Sequence, residues 1–181
     1  DVEEEVKKLK DKNRRINEEV KKRMRELEER NKELNKRIRE EDERLHRELR
    51  KVLEEARKTI DEKDLKRIED ELKKMNEENE KETEENERRS KEVKDRVREE
   101  LERNRKESRD IEERLRRIKD GSREEVEKLL REYEERLERV RKRVEEILAK
   151  YKELLDRVEE RARKSLKEIK ETIEDARRRI K

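Results

Sequence analysis

Apolar residues return every 18 positions along this chain. Val2, Val20, Ile38 and Ala56 form one such series, Leu65 and Leu101 with Thr83 between them a second, and Val126, Val144, Ala162 and Ile180 a third. Eighteen residues make five turns of a helix with 3.6 residues per turn, the period of a relaxed α-helix. A sustained heptad would force a left-handed supercoil and an 11-residue repeat a right-handed one. The period therefore predicts long, nearly straight helices.

Between the repeat points the apolar residues advance by steps of three and four, the spacing of one helix face. The first stripe runs through Ile16, Met24, Leu34, Leu45, Leu49 and Val52 to Ile60. It then breaks phase, because Ile60 to Leu65 is a five-residue step, and resumes through Ile68, Leu72, Val97, Ile111 and Leu115. A turn near residues 59–62 is the simplest cause. Asp61 can cap the next helix, Asp64 stands where a capping box carries Glu, and Ile60 with Leu65 are placed as a hydrophobic staple. A second turn is written as Asp120-Gly121-Ser122, with Gly121 suited to a left-handed helix end, Ser122 as N-cap and Glu125 closing a capping box. The third stripe follows from Val126 through Leu137, Leu148 and Leu155 to Ile180, widened by Leu129, Ile147 and Leu154.

The expected helices span about 2–59, 62–119 and 123–180, each about 85 Å long at 1.5 Å per residue. Short connections make neighbours antiparallel, so the reading is all-α: an elongated up-down-up three-helix bundle forming a single domain over 1–181, with the first and third helices parallel.

Composition tests that reading. Of 181 residues, 61 are Lys or Arg and 58 are Asp or Glu, for a net charge of +3. Leu, Ile and Val together make up about 20%, at the edge of what disordered chains show. Balanced charge and regular apolar placement argue for order, since a core one stripe wide on each helix needs few apolar residues. The absence of Cys excludes disulfides, thiolate metal sites and cysteine nucleophiles. The apolar runs are too short for a membrane span or a signal-peptide core.

Polar residues at stripe positions also repeat at 18: Asn13 with Asn31, Asn17 with Asn35, Asn86 with Asn104, Ser90 with Ser108, and Tyr133 with Tyr151. If paired residue numbers of the first two helices sum to about 124 and those of the last two to about 242, the third helix runs about 117 ahead of the first. Asn13, Asn17, Asn104, Ser108 and Tyr133 then share one level, and Asn31, Asn35, Asn86, Ser90 and Tyr151 another. The expectation is two copies of one buried hydrogen-bond layer, which penalises wrong registers because an unpartnered buried polar group costs about 1–3 kcal/mol. Asp42, His46, Asn79 and Thr83 mark a third, less complete polar level. The alternative is that these side chains face solvent, or that the layers specify an assembly, as single polar core residues do in coiled coils.

With its 18-residue stripes, its Asp-Gly-Ser loop closed by Glu125, its paired Asn, Ser and Tyr layers and its Glu, Lys and Arg surface, the whole chain resembles de novo designed helical bundles carrying modular hydrogen-bond networks. The resemblance implies a soluble synthetic scaffold without natural activity, expressed in a bacterial cytoplasm and needing no cofactor. It also implies that the partner, if any, is a second copy or a designed helical chain. The first connection departs from the pattern in lacking Gly, which would suit a hinge near residues 59–62. A natural spectrin-like coiled-coil spacer or adaptor is the competing class.

Other chemistry lacks its residues. There is no Gly-rich phosphate loop, and a filled three-helix bundle offers no concave pocket for catalysis or a small-molecule ligand. His46 stands beside Leu45 without Cys or a second His, so it reads as a network member or a solvated side chain rather than a metal ligand. The clusters Arg114, Arg116, Arg117 and Arg177 to Arg179 sit at helix C-termini, where they offset the macrodipole. Acidic residues interleave with them and aromatics are confined to two Tyr positions, so neither nucleic acid nor membrane is the expected partner.

Overall fold

The computed structural model describes residues 1–118 and 123–180. Among these residues the regular structure is helical: α1 (Val2–Ala56), α2 (Glu62–Arg117) and α3 (Arg123–Ile180). The protein is an all-α three-helix bundle. It divides into two compact units, each built from a segment of every helix. Unit 1 comprises Asp1–Glu28 with Ser90–Lys152, and unit 2 comprises Glu29–Arg89 with Glu153–Lys181.

α1 stops three residues earlier than the stripe suggests. The Ala56 carbonyl accepts from the N–H of Thr59 at 2.9 Å, the N–H of Ile60 at 2.8 Å and the Thr59 hydroxyl at 3.3 Å, so the chain winds tightly about one acceptor instead of continuing the helix. α2 begins as Asp61 predicts: the Asp61 carbonyl accepts the first helical bond, from the Leu65 N–H at 3.0 Å. Ile60 and Leu65 are both half-buried. α2 ends at Arg117, two residues short of the expected limit. The Gly121 and Ser122 turn lies outside the described residues, while Glu125 falls in the acidic first turn of α3.

Ion pairs establish the directions. In unit 1, Lys10 meets Glu112 and Lys94 meets Glu28, so α1 and α2 run antiparallel, and Arg136–Glu107 with Arg143–Glu100 make α2 and α3 antiparallel. In unit 2, Arg30 meets Asp156 and Glu159 while Arg177 meets Glu48, so α1 and α3 are parallel.

The two cores divide the stripes between them. Unit 1 buries Ile16, Val20 and Met24 of α1, Val97 and Ile111 of α2, and Leu137, Val144 and Leu148 of α3. Unit 2 packs Leu45, Leu49, Val52 and Leu53 with Leu72, Leu166, Ile169, Ile173 and Ala176, bordered by the half-buried Leu65, Ile68 and Met75. α2 is the lean partner. Among the described residues it buries four apolar side chains, against ten from α1 and fourteen from α3, and an equal number of polar ones, Thr83, Asn86, Asn104 and Ser108. Every buried polar group needs a hydrogen bond to offset lost hydration, so the central question about this bundle is what α2 finds for them.

Candidate functional site: the buried hydrogen-bond networks

In unit 1, three of the expected residues close a ring. The Asn104 amide donates to Asn13 Oδ1 at 2.7 Å, Asn13 Nδ2 donates to Ser108 Oγ at 3.2 Å, and the Ser108 hydroxyl returns to Asn104 Oδ1 at 3.2 Å. Asn104 and Ser108 lie one turn apart on α2, and Asn13 reaches across from α1, so each member both donates and accepts within the ring. Asn104 is 1% exposed and Ser108 5%.

Tyr133, expected in this layer, lies beside Asn13 and Ser108 and donates its proton to Glu112 Oε1 at 2.8 Å. Burial, then the hydrogen bond and charge of Glu112, push the phenol's pKa up, while Asn13 and Ser108 act in the opposite sense. Asn17 Oδ1 is buried without a hydrogen-bond partner, so Asn17 does not join the ring. Lys12 pairs with Glu134 and Glu138, which places α3 122 to 126 residues ahead of α1 rather than about 117. Even so, the Tyr133 hydroxyl reaches the ring, beside Asn13 and Ser108, while its proton goes to Glu112.

The second expected layer is not a copy of the first. In unit 2, Asn86 donates both amide hydrogens, to Asn31 Oδ1 at 2.5 Å and to Asn35 Oδ1 at 2.9 Å, and its own Oδ1 is buried without a partner. In unit 1, Ser90 Oγ bonds the Tyr151 hydroxyl. The Asn13–Asn104 and Asn31–Asn86 pairs are related by the 18-residue repeat, and both have residue numbers summing to 117. The layers diverge at serine. A hydroxyl carries one proton, and Ser108 spends its proton on an amide oxygen, whereas Ser90 shares its bond with a phenol. Burial is the first cause pushing the Tyr151 pKa up; the Ser90 bond opposes it and the Glu28 charge adds to it.

The third level, read as the least complete, draws on all three helices. In unit 2, Ser165 of α3 donates to Asn79 Oδ1 at 2.9 Å, Asn79 of α2 donates to Asp42 Oδ1 at 3.1 Å, and Thr83 Oγ1 donates to the Asn79 carbonyl at 2.8 Å. His46 completes it. Its Nδ1 lies 2.7 Å from the Asp42 carbonyl oxygen and 3.3 Å from Asp42 Oδ1, and its Nε2 lies 3.2 Å from the Leu72 carbonyl oxygen. Asp42 is 7% exposed and His46 4%. The Asp42 hydrogen bond leads the causes that raise the His46 pKa from its ordinary 6.5, burial opposes it, and the two carbonyl bonds and the Asp42 charge add to it.

Sequence reasoning missed Glu112 and Ser165. Glu112 resembles every other surface carboxylate, and nothing in its spacing sets it apart. Ser165 carried a signal, because it stands three residues after Ala162 and one before Leu166 on the edge of the α3 stripe, where a small hydroxyl is out of keeping with its charged neighbours.

Among the described residues no set of three or more His, Cys, Asp or Glu side chains is placed to hold a metal ion, and no helix is long and apolar enough to cross a membrane. Comparison of the chain with protein-family models, with curated proteins and with solved structures gives no match.

Proposed function

We propose that this chain is a designed structural scaffold without enzymatic activity, whose mechanism is self-recognition: apolar stripes supply stability and buried polar networks select the register. The observation that carries the reading is the closed Asn13–Ser108–Asn104 ring, in which every residue both donates and accepts and a shift of α1 along α2 would break the two bonds that cross between them. A fully satisfied network is tolerated in a core, while a broken one costs about 1–3 kcal/mol for each stranded group. The 18-residue relation between the Asn13–Asn104 and Asn31–Asn86 pairs supports a modular origin, and so does the want of a match to natural families.

The apolar residues that widen the α3 stripe are covered within the chain: Ile147 is buried, and Leu129 and Leu154 are half-buried. Val2 is the one large exposed hydrophobic among the described residues. This supports a scaffold that satisfies its own stripes, needing no helical partner, nucleic acid, membrane or small ligand. Light scattering coupled to size-exclusion chromatography tests it. The expected mass is that of one chain, 22.8 kDa, across concentrations. An integer multiple would make assembly the function and overturn the self-contained reading.

A further inference from the structure

The chain has a single histidine, and it is buried with an oxygen acceptor at each ring nitrogen. A backbone carbonyl oxygen has lone pairs and no proton, so a nitrogen facing one must carry N–H to bond it. Nδ1 faces the Asp42 carbonyl and carboxylate, and Nε2 faces the Leu72 carbonyl. Both contacts are hydrogen bonds only when the ring is the doubly protonated imidazolium. A neutral ring has one N–H and one lone pair, so it must turn a lone pair toward one of these oxygens.

We propose that His46 is a pH-dependent clamp: protonated, it ties α1 to α2 within unit 2, and loss of its proton releases that tie. Asp42 selects which bond is lost. Its carbonyl is the nearer acceptor and its carboxylate reinforces it, so the remaining proton of the neutral ring stays on Nδ1 and the Nε2 lone pair is left against Leu72. Leu72 belongs to α2, and the broken bond is therefore the interhelical one.

The surroundings make the clamp specific. Among the described residues the charged group against the ring is Asp42, on its own helix. α2 presents the neutral Leu72 carbonyl and, one step away, the Asn79 amide bound to Asp42 Oδ1. α3 presents Ser165, which holds Asn79, with Leu166 and Ile169 of the same apolar core. Asp42 Oδ1 is thereby shared between a neutral amide donor and the imidazolium. The pKa of His46 is raised, so its contribution is fully present below the ordinary value of 6.5 and is lost as pH rises through the higher folded-state value.

With one histidine, nitrogen-detected NMR of the intact chain reads the ring without ambiguity. The expected result is two protonated ring nitrogens at pH 6.5, a titration midpoint above 6.5, and a lower midpoint in Asp42→Asn. A parent midpoint at or below 6.5, or a midpoint unmoved by Asp42→Asn, would overturn the clamp. Chemical denaturation adds a second readout: the parent loses resistance as pH rises from 6.5, and His46→Gln removes that slope. A slope that survives in His46→Gln would also refute it, and if that variant does not fold, the titration of the parent and Asp42→Asn decides alone.

Discussion

Replacing Asn104 with Leu, nearly the same size, tests whether the ring in unit 1 is a unit or a coincidence of neighbours. The substitution removes the donor to Asn13 Oδ1 and the acceptor of the Ser108 hydroxyl, so two of three ring bonds vanish at once. Ser108 is 5% exposed and bears the desolvation penalty of a stranded hydroxyl, about 1–3 kcal/mol. Asn13 is only half-buried and recovers part of its loss from water. The expected cost of Asn104→Leu is about 2 kcal/mol. Removing every member together, as Asn13→Leu, Asn104→Leu and Ser108→Ala, leaves nothing stranded, and the triple variant should return to within about 1 kcal/mol of the parent or exceed it. Guanidinium denaturation followed by far-ultraviolet circular dichroism measures both. A single variant as stable as the parent, or a triple variant no better than the single, would refute the argument that the ring is held by mutual satisfaction.

The two tyrosines should behave alike in titration and differ from exposed phenols. Because their pKa values are raised in the folded state, ultraviolet titration should show neither ionising at the ordinary value of 10.0, and stability should fall as pH climbs above it. Tyr133→Phe and Tyr151→Phe should each cost about 1 kcal/mol, since each loses one side-chain bond while Glu112 keeps contact with water; denaturation midpoints equal to the parent's would contradict this. Leu137→Ala and Leu155→Ala, at positions with 0% exposure, should each cost about 2–5 kcal/mol, whereas Val2→Ser, at 40%, should leave the midpoint unchanged. Glu102→Gln, which breaks an exposed pair with Arg105 on one helix face, should also leave the denaturation midpoint where it was.

The legible part of this protein is whatever depends on spacing along one helix. The 18-residue period located three helices and their inward faces, and Asp61 marked the start of α2, because caps and stripes are local properties of a single chain segment. The same period picked out Asn13, Asn104, Asn31, Asn86 and the two Ser–Tyr sets as inward polar positions. Partner choice was not legible. A layer assembled from assumed registers puts Tyr133 with Asn13 and Ser108, and its hydroxyl does lie beside both, yet nothing in the spacing shows that its proton goes to Glu112.

His46 shows the division most sharply. Sequence alone placed it beside Leu45 and within one turn of Asp42, which allows a network member or a solvated side chain equally. The tertiary structure buried the ring and brought the Leu72 carbonyl of α2 to its second nitrogen, which joins Asp42 in favouring the protonated form. Periodicity is carried by each helix separately, and the sequence holds it outright. A hydrogen bond between helices depends on axial offset and on where a single hydroxyl or imidazole proton goes, and those are set only when three helices pack together.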